Sequence, residues 1–224
     1  MERTQLIHIA EVLRYGGYAA LGKQLPFYPQ AGAALKILFH GNSLYRLRER
    51  NEVPLTDIIR LETAQNGQHP RAVVVCCADS RVPAEHIFHA GIGELFVIRN
   101  AGNVMTPAAL GSVEYAVGHL HVPLVVVMGH RGCGAVASAL IHGQEGSHRE
   151  EGALGELIAE VSAAIGHVQS PAAAERKNLM HSLSVLRTSP LLCRLAEQGK
   201  VGFAALMYDI RSGRVEPLTA PEEL

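Results

Sequence analysis

"AVVVCCADSR", residues 72–81, begins as a strand and ends as chemistry. Ala72, Val73, Val74, Val75 and Cys76 run without a polar break, the pattern of a strand buried on both faces. A thiol, a carboxylate and a guanidinium then follow at Cys77, Asp79 and Arg81. If the chain stays extended, alternation sets those three side chains on one side. Two readings stand open at this point: an ordinary ion pair beside a turn, or a reactive group of side chains.

Further apolar runs frame this one: "ELFVI" (94–98), "PLVVVMG" (123–129) and "VGFAALMYD" (201–209). Between them "AALGSVEYAVGHL" (108–120) and "GAVASALIHG" (134–143) read as helices. Apolar strands alternating with helices predict an α/β fold with a central, mostly parallel sheet flanked by helices. The closing "YDIRSGRVEPL" (208–218) reads as strand, turn at Ser212-Gly213 and return strand. The expected sheet therefore has about four parallel strands and a C-terminal antiparallel one. Upstream, "AGAALKILFHGNSLYRLRER" (31–50) carries Leu35, Leu38, Phe39 and Leu44 at helical spacing, and a second helix is expected from Pro54 through Ile58, Ile59 and Leu61. Residues 1–32 read as an N-terminal helical arm and 33–224 as the α/β domain. The one candidate linker runs from "GQEGSHREEG" (143–152) to "VQSPAAAE" (168–175), interrupted by a helical pattern.

The chain of 224 residues is 48% hydrophobic and its formal net charge is −1, which gives no electrostatic reason to expect nucleic acid or an anionic membrane. The "RLRER" run (46–50) reads as a solvated helix face. No apolar run approaches the roughly 20 residues of a membrane helix. The opening "MERTQLIHIAEVLRYGG", with Glu2 and Glu11, is a poor signal peptide. Four cysteines, two of them adjacent, make a poor disulfide framework, so a reducing cytoplasm is expected.

"MGHRGCG" (128–134) holds His130 and Cys133 three residues apart on a tight turn into a helix. Alone, this pair also suits a core histidine beside a buried cysteine. Added to Cys77 at the end of a neighbouring parallel strand, it becomes a Cys₂His set, three protein ligands for zinc with an open fourth position. Ligand sites in such sheets lie beyond the carboxyl ends of the strands, where both stretches fall. Cys193 sits on a distant helical stretch and reads as a buried apolar residue. An ionised Asp79, held by Arg81, could accept a hydrogen bond from whatever occupies the fourth position, or fill that position itself.

"CADSR" (77–81) and "HRGC" (130–133) together resemble the β-class carbonic anhydrases, whose signatures are C-x-D-S-R and H-x-x-C. "GQHPRAVVVC", "GELFVIRNAGN", "SVEYAVGHLHVPLVVVMGH" and "VGFAALMYDIRSGRVEPL" are similar to further stretches of that family, so the resemblance covers about residues 33 to 218. It implies that Cys77, His130 and Cys133 bind one zinc ion per subunit and that Asp79 and Arg81 form the catalytic dyad, with Asp79 a fourth ligand in a closed state. It also implies that Cys76 faces the core. Gln68 matches the family's cleft glutamine, Gly134 offers a backbone N–H, and Phe96, Ala101 and Tyr115 match an apolar cleft built partly from a second subunit. The implied function is reversible hydration of carbon dioxide to bicarbonate and a proton by attack of zinc-bound hydroxide, in a homodimer or dimer of dimers. Val74 stands where some members carry a tryptophan of a bicarbonate pocket, although Arg99, which assists that pocket, is present. An open site without that pocket is therefore expected, with activity rising towards alkaline pH. "GNSLY" has Leu44 and Tyr45 where the family usually has arginine and phenylalanine. Two alternatives keep the same zinc site: a carbonyl sulfide or carbon disulfide hydrolase, and a non-catalytic zinc-binding regulatory protein.

Overall fold

The computed structural model describes residues 29–47, 57–142 and 150–218. Its centre is a five-stranded sheet of order β2-β1-β3-β4-β5. β1 (Ala72–Cys77), β2 (Leu95–Asn100), β3 (Leu124–His130) and β4 (Gly202–Tyr208) run parallel, and β5 (Val215–Pro217) returns antiparallel to β4. Every residue of β1 and β3 is buried, as their unbroken apolar runs require. β2 is an edge strand and is only half-buried.

Helices α1 (Pro29–Arg46), α2 (Asp57–Asn66), α3 (Ala84–Ile87), α4 (Pro107–Gly118), α5 (Gly134–His142), α6 (Gly152–Ile165), α7 (Pro171–Leu186) and α8 (Pro190–Glu197) flank the sheet. On one face Leu35 and Leu38 of α1 pack with Val74, Cys76, Val126, Met128 and Leu206. On the other, Val73, Val75, Val125 and Val127 meet Val113 of α4 and Leu179, Leu183 and Leu186 of α7. The alternation of Val73/Val75 against Val74/Cys76 is the period of a strand covered on both sides. A third cluster joins Cys77, Val104 and Cys133 to Val136 of α5 and Ile158, Val161 and Ile165 of α6.

Two details explain the "GN" pair at the end of α1. A Cβ on Gly41 would lie 1.8 Å from the Phe88 carbonyl oxygen, so only glycine lets the helix approach that backbone. Asn42 then donates to Ile87 O (3.2 Å) and Gly213 O (2.9 Å) and accepts from Val215 N (2.9 Å), tying α1 to α3 and to the β4–β5 turn. Tyr45, the departure noted in this motif, has its hydroxyl 3.2 Å from that of Tyr208.

Residues 1–28 of the expected arm lie outside the described residues, and α1 takes in 29–32. The second helix is described over Asp57–Asn66, with Pro54 outside the described residues, and its Ile58 and Leu61 are exposed. Two expectations are corrected. The supposed linker "VQSPAAAE" runs into α7: Pro171 opens the helix, and the alanines that look like low complexity are its first turn. Cys193 is half-exposed and not in the core, its thiol donating to Arg187 O at 3.1 Å. Among the described residues no helix is long and apolar enough to cross a membrane.

Candidate metal centre

The chain runs from β1 outward to β2 and then returns to place β3 on the other side of β1. Such a reversal opens a crevice at the carboxyl ends of the two central strands. Cys77 is the last residue of β1 and His130 the last of β3. Cys133 follows three residues on, immediately before α5. The donor atoms of Cys77, His130 and Cys133 all lie within 4.8 Å of one another. All three residues are buried, at 4%, 1% and 4% exposure.

The donors are prepared for a cation. A carbonyl only accepts, so His130 Nδ1 donates to Arg131 O at 3.1 Å. That leaves Nε2 as the free donor atom, and it is buried with no hydrogen-bond partner. Cys77 Sγ accepts backbone N–H bonds from Asp79 (3.4 Å) and Gly102 (3.3 Å). The Cys133 thiol, hydrogen-bonded to it, leads in drawing Cys77 down to about 4; burial opposes this, and His130 and the two N–H groups add to it. Cys133, keeping the shared proton, is raised by that same bond and by burial. Its neighbour Cys76 behaves oppositely to Cys77: wholly buried on the other face, its thiol is pushed by burial up to about 12. An orphaned imidazole nitrogen, a thiolate and a second sulfur converging in one buried place fit a single zinc ion.

Asp79 and Arg81 also meet, by a route other than strand alternation. β1 stops at Cys77 and residues 79–82 form a turn closed by Val82 N to Asp79 O at 3.0 Å. Asp79 Oδ1 accepts from Arg81 N (2.9 Å) and Nε (3.0 Å), and Oδ2 from Nη2 (2.7 Å). These bonds from Arg81 hold the Asp79 carboxyl down at about 2. Oδ2 lies 3.9 Å from His130 Nε2, while the carboxylate stays outside the compact set of three donors. Arg99 braces the same turn, donating to Cys77 O (3.4 Å) and Asp79 O (2.9 Å). Val74 is wholly buried in the core.

The remaining expected residues divide by strand direction. Ala101 follows Asn100, the register partner of Cys77, and Gly134 opens α5 beside Cys133, so both adjoin the donors. Gln68 precedes β1, and Phe96 pairs with Val73, four residues back from Cys77. At about 3.3 Å per residue this is about 13 Å away, at the opposite end of the sheet. Tyr115 lies with Phe96, ring centroids 6.3 Å apart, and is 48% exposed. One chain therefore does not bring Gln68, Phe96 and Tyr115 to its own donors.

Three residues of α7 missed by sequence reasoning do reach the site loops. Glu175 accepts from Gly132 N (2.7 Å) and Arg131 Nη1 (3.1 Å). Asn178 donates to Gly102 O (2.7 Å) and Ser182 to Asn103 O (2.9 Å). The available signal was polar residues at i, i+3 and i+7, one face of a helix that also carries Leu179, Leu183 and Leu186.

Residues 72–215 match a family model described as carbonic anhydrase. The fold is also that of a β-carbonic anhydrase from Aspergillus fumigatus, at a TM-score of 0.60 and 31% identity over 73% of this chain and 83% of that one. The chain belongs to the β-carbonic anhydrases. Among curated members, a Pseudomonas aeruginosa carbonic anhydrase is 38% identical over 67% of this chain and 74% of its own length. Carbonic anhydrase 2 of Mycobacterium tuberculosis is 49% identical over 48% of this chain and 52% of its own. The chain thus spans about half the length of this mycobacterial relative. Zinc is the metal of the family, and Cys77, His130 and Cys133 are the donors that fit it.

Proposed function

We propose that the protein catalyses the reversible hydration of carbon dioxide to bicarbonate and a proton. The observation that carries this reading is the Asp79–Arg81 pair: a carboxylate bonded by both Arg81 Nε and Nη2, ionised, and set beside the three metal donors without joining them. A purely structural zinc site has no use for it. Zinc, when bound, supplies Lewis acidity that brings water within reach of deprotonation near neutral pH. Asp79, ionised and acceptor-only, orients an O–H donor placed beside the metal donors and rejects a lone pair. Arg81 fixes both carboxylate oxygens, so the acceptor is in place before substrate arrives. Gly134 lies in the first turn of α5, where backbone N–H groups have no partner within the helix and can meet an anionic product. Ala101 lines the same crevice. With Asp79 held by Arg81 outside the set of donors, and Val74 in place of the tryptophan of a bicarbonate pocket, the open state is favoured.

Gln68, Phe96 and Tyr115 act in this reading from a second copy of the chain. Among the described residues β2 is an unpaired edge; Tyr115 (48% exposed) lies beside its Phe96, and Ile58 (67%), Leu61 (55%) and Ile92 (41%) are exposed. An edge strand beside exposed apolar side chains is a surface that a homodimer would cover. In this reading the assembly works in the cytoplasm.

Stopped-flow carbon dioxide hydration on zinc-loaded protein, with Cys77→Ser as control, tests the proposal. Turnover that needs both zinc and Cys77 is expected. A zinc-loaded chain no faster than its Cys77→Ser variant would leave a zinc-binding protein without this activity.

A further inference from the structure

The segment between His130 and Cys133 turns on Gly132, whose φ is +70°, a conformation glycine holds loosely by itself. Two groups from outside the loop grip it. Its N–H donates to Glu175 Oε1 at 2.7 Å, and its carbonyl accepts from Arg81 Nη2 at 3.2 Å. That same Nη2 donates to Asp79 Oδ2 at 2.7 Å. A continuous hydrogen-bonded path therefore runs from α7 through the Gly132 backbone and Arg81 to the Asp79 carboxylate.

Glu175 is 7% exposed, and a carboxylate so placed needs partners. It has them in Gly132 N and in the guanidinium of Arg131 at 3.1 Å, both in the segment that joins two metal donors. α7 packs directly over Gly129 of β3, where a Cβ would lie 2.8 Å from Leu179 Cδ1. Three residues further along, Asn178 holds Gly102 O, and Gly102 N donates to Cys77 Sγ. One helix face thus holds the segment that joins His130 to Cys133 and the loop whose Gly102 N–H meets Cys77.

We infer that Glu175 is a positioning residue of the site. It sets the Gly132 turn so that His130 and Cys133 face one ion and Arg81 keeps its hold on Asp79. The inference rests on the zinc-site reading above and assigns Glu175 no contact with substrate. Partners that orient metal ligands from outside change metal affinity by about 10- to 100-fold when removed.

The experiment measures zinc affinity by chelator competition and the visible absorption of the cobalt-substituted protein for wild type, Glu175→Ala, Glu175→Gln and Leu183→Ala. Leu183 lies on the same helix and is buried in the core cluster of Val125 and Val127, so its truncation reports helix destabilisation. Glu175→Ala is expected to weaken zinc by about 10- to 100-fold and to shift the cobalt bands. Glu175→Gln, whose amide oxygen can still take Gly132 N–H, should recover most of that affinity. Leu183→Ala should lower the melting temperature with zinc affinity unchanged. Equal affinity and spectrum for Glu175→Ala and wild type would overturn the assignment, as would an equal loss in Leu183→Ala. Should Glu175→Ala not fold, hydrogen exchange on zinc-loaded wild type decides: Gly132 N–H is expected to be protected, and exchange at the unprotected rate refutes the bond. A wild type that binds no zinc sinks the metal reading itself, a different result from all of these.

Discussion

Replacing Asp79 by asparagine changes one oxygen into an NH₂ group and leaves the size of the side chain unchanged. The carboxylate now accepts three N–H bonds from Arg81, two on Oδ1 and one on Oδ2. If the amide oxygen keeps the pair on Oδ1, its NH₂ group opposes Arg81 Nη2, donor against donor. That arrangement loses the 2.7 Å bond. The Arg81 side chain is 55% exposed, so the released guanidinium finds water and the effect on stability is small.

The effect on turnover is far larger, because the changed atom is the one 3.9 Å from His130 Nε2. A preorganised acceptor becomes a donor at the place where an O–H must be held. Removal of one such hydrogen-bonding group from a reaction centre typically raises the barrier by about 3 to 4 kcal/mol, a loss of about 10²- to 10³-fold in kcat. Stopped-flow hydration together with metal analysis reads both quantities: zinc retained, kcat down by that factor. Turnover within about threefold of wild type, with zinc in place, would remove the Asp79–Arg81 pair from the reaction. Loss of zinc would instead mean that Asp79 holds the metal loop.

Other outcomes follow from the same geometry. Because Arg81 depresses the Asp79 pKa from 3.8 to about 2, its stabilising contribution is full above 3.8 and lost as pH falls through about 2. An inflection in the hydration rate of wild type above pH 5 therefore belongs to another group, and Asp79→Asn should lower the profile without moving it. Cys76→Ser should keep its zinc but lose about 1 to 3 kcal/mol in denaturant unfolding, since a hydroxyl enters an apolar core, whereas Cys77→Ser should lose the metal. Equal zinc contents would refute the division between the two cysteines. Gly41→Ala should destabilise by about 3 kcal/mol or fail to fold, its Cβ driven to 1.8 Å from the Phe88 carbonyl. A melting temperature within a degree or two of wild type would refute that close approach. Ile58→Glu with Leu61→Glu should yield a monomer by light scattering that keeps its zinc yet turns over slowly, because Gln68, Phe96 and Tyr115 then have no neighbour to serve.

The strands were legible because their burial on both faces leaves nothing polar to interrupt them, from Val73 to Cys76 and from Leu124 to Met128. The metal donors were legible because His130 and Cys77 end two such runs, although only the strand order puts β1 beside β3. The Asp79–Arg81 pair was recognisable while its geometry was not. Alternation suggested a strand, and the chain instead turns so that the Arg81 backbone N–H also reaches the carboxylate. Gln68 and Phe96 could be matched to a cleft, but matching is blind to direction along β1 and hence to which chain they serve. α7 was misread at its start because "PAAAE" reads as low complexity, while alanine after proline is a strong helix opening. Its Glu175 carried no local sign of burial, since a carboxylate in a polar stretch usually faces water.

That omission has a physical cause that bears on how the motifs work. Each loop at the centre turns on a glycine at φ +70°, Gly102 in one and Gly132 in the other. Glycine makes the turn possible and leaves it loose, with an entropic cost of about 0.5 to 1 kcal/mol relative to alanine. What grips each of these glycines comes from outside its own loop. Gly102 is held at its carbonyl by Asn178 and at its N–H by the Cys77 sulfur, Gly132 at its N–H by Glu175 and at its carbonyl by Arg81. The two signatures therefore lock each other through Arg81, and α7 locks both from behind. Donors read as a short motif become a rigid centre only through a helix more than forty residues further along the chain, which is why the chemistry was readable locally and its rigidity was not.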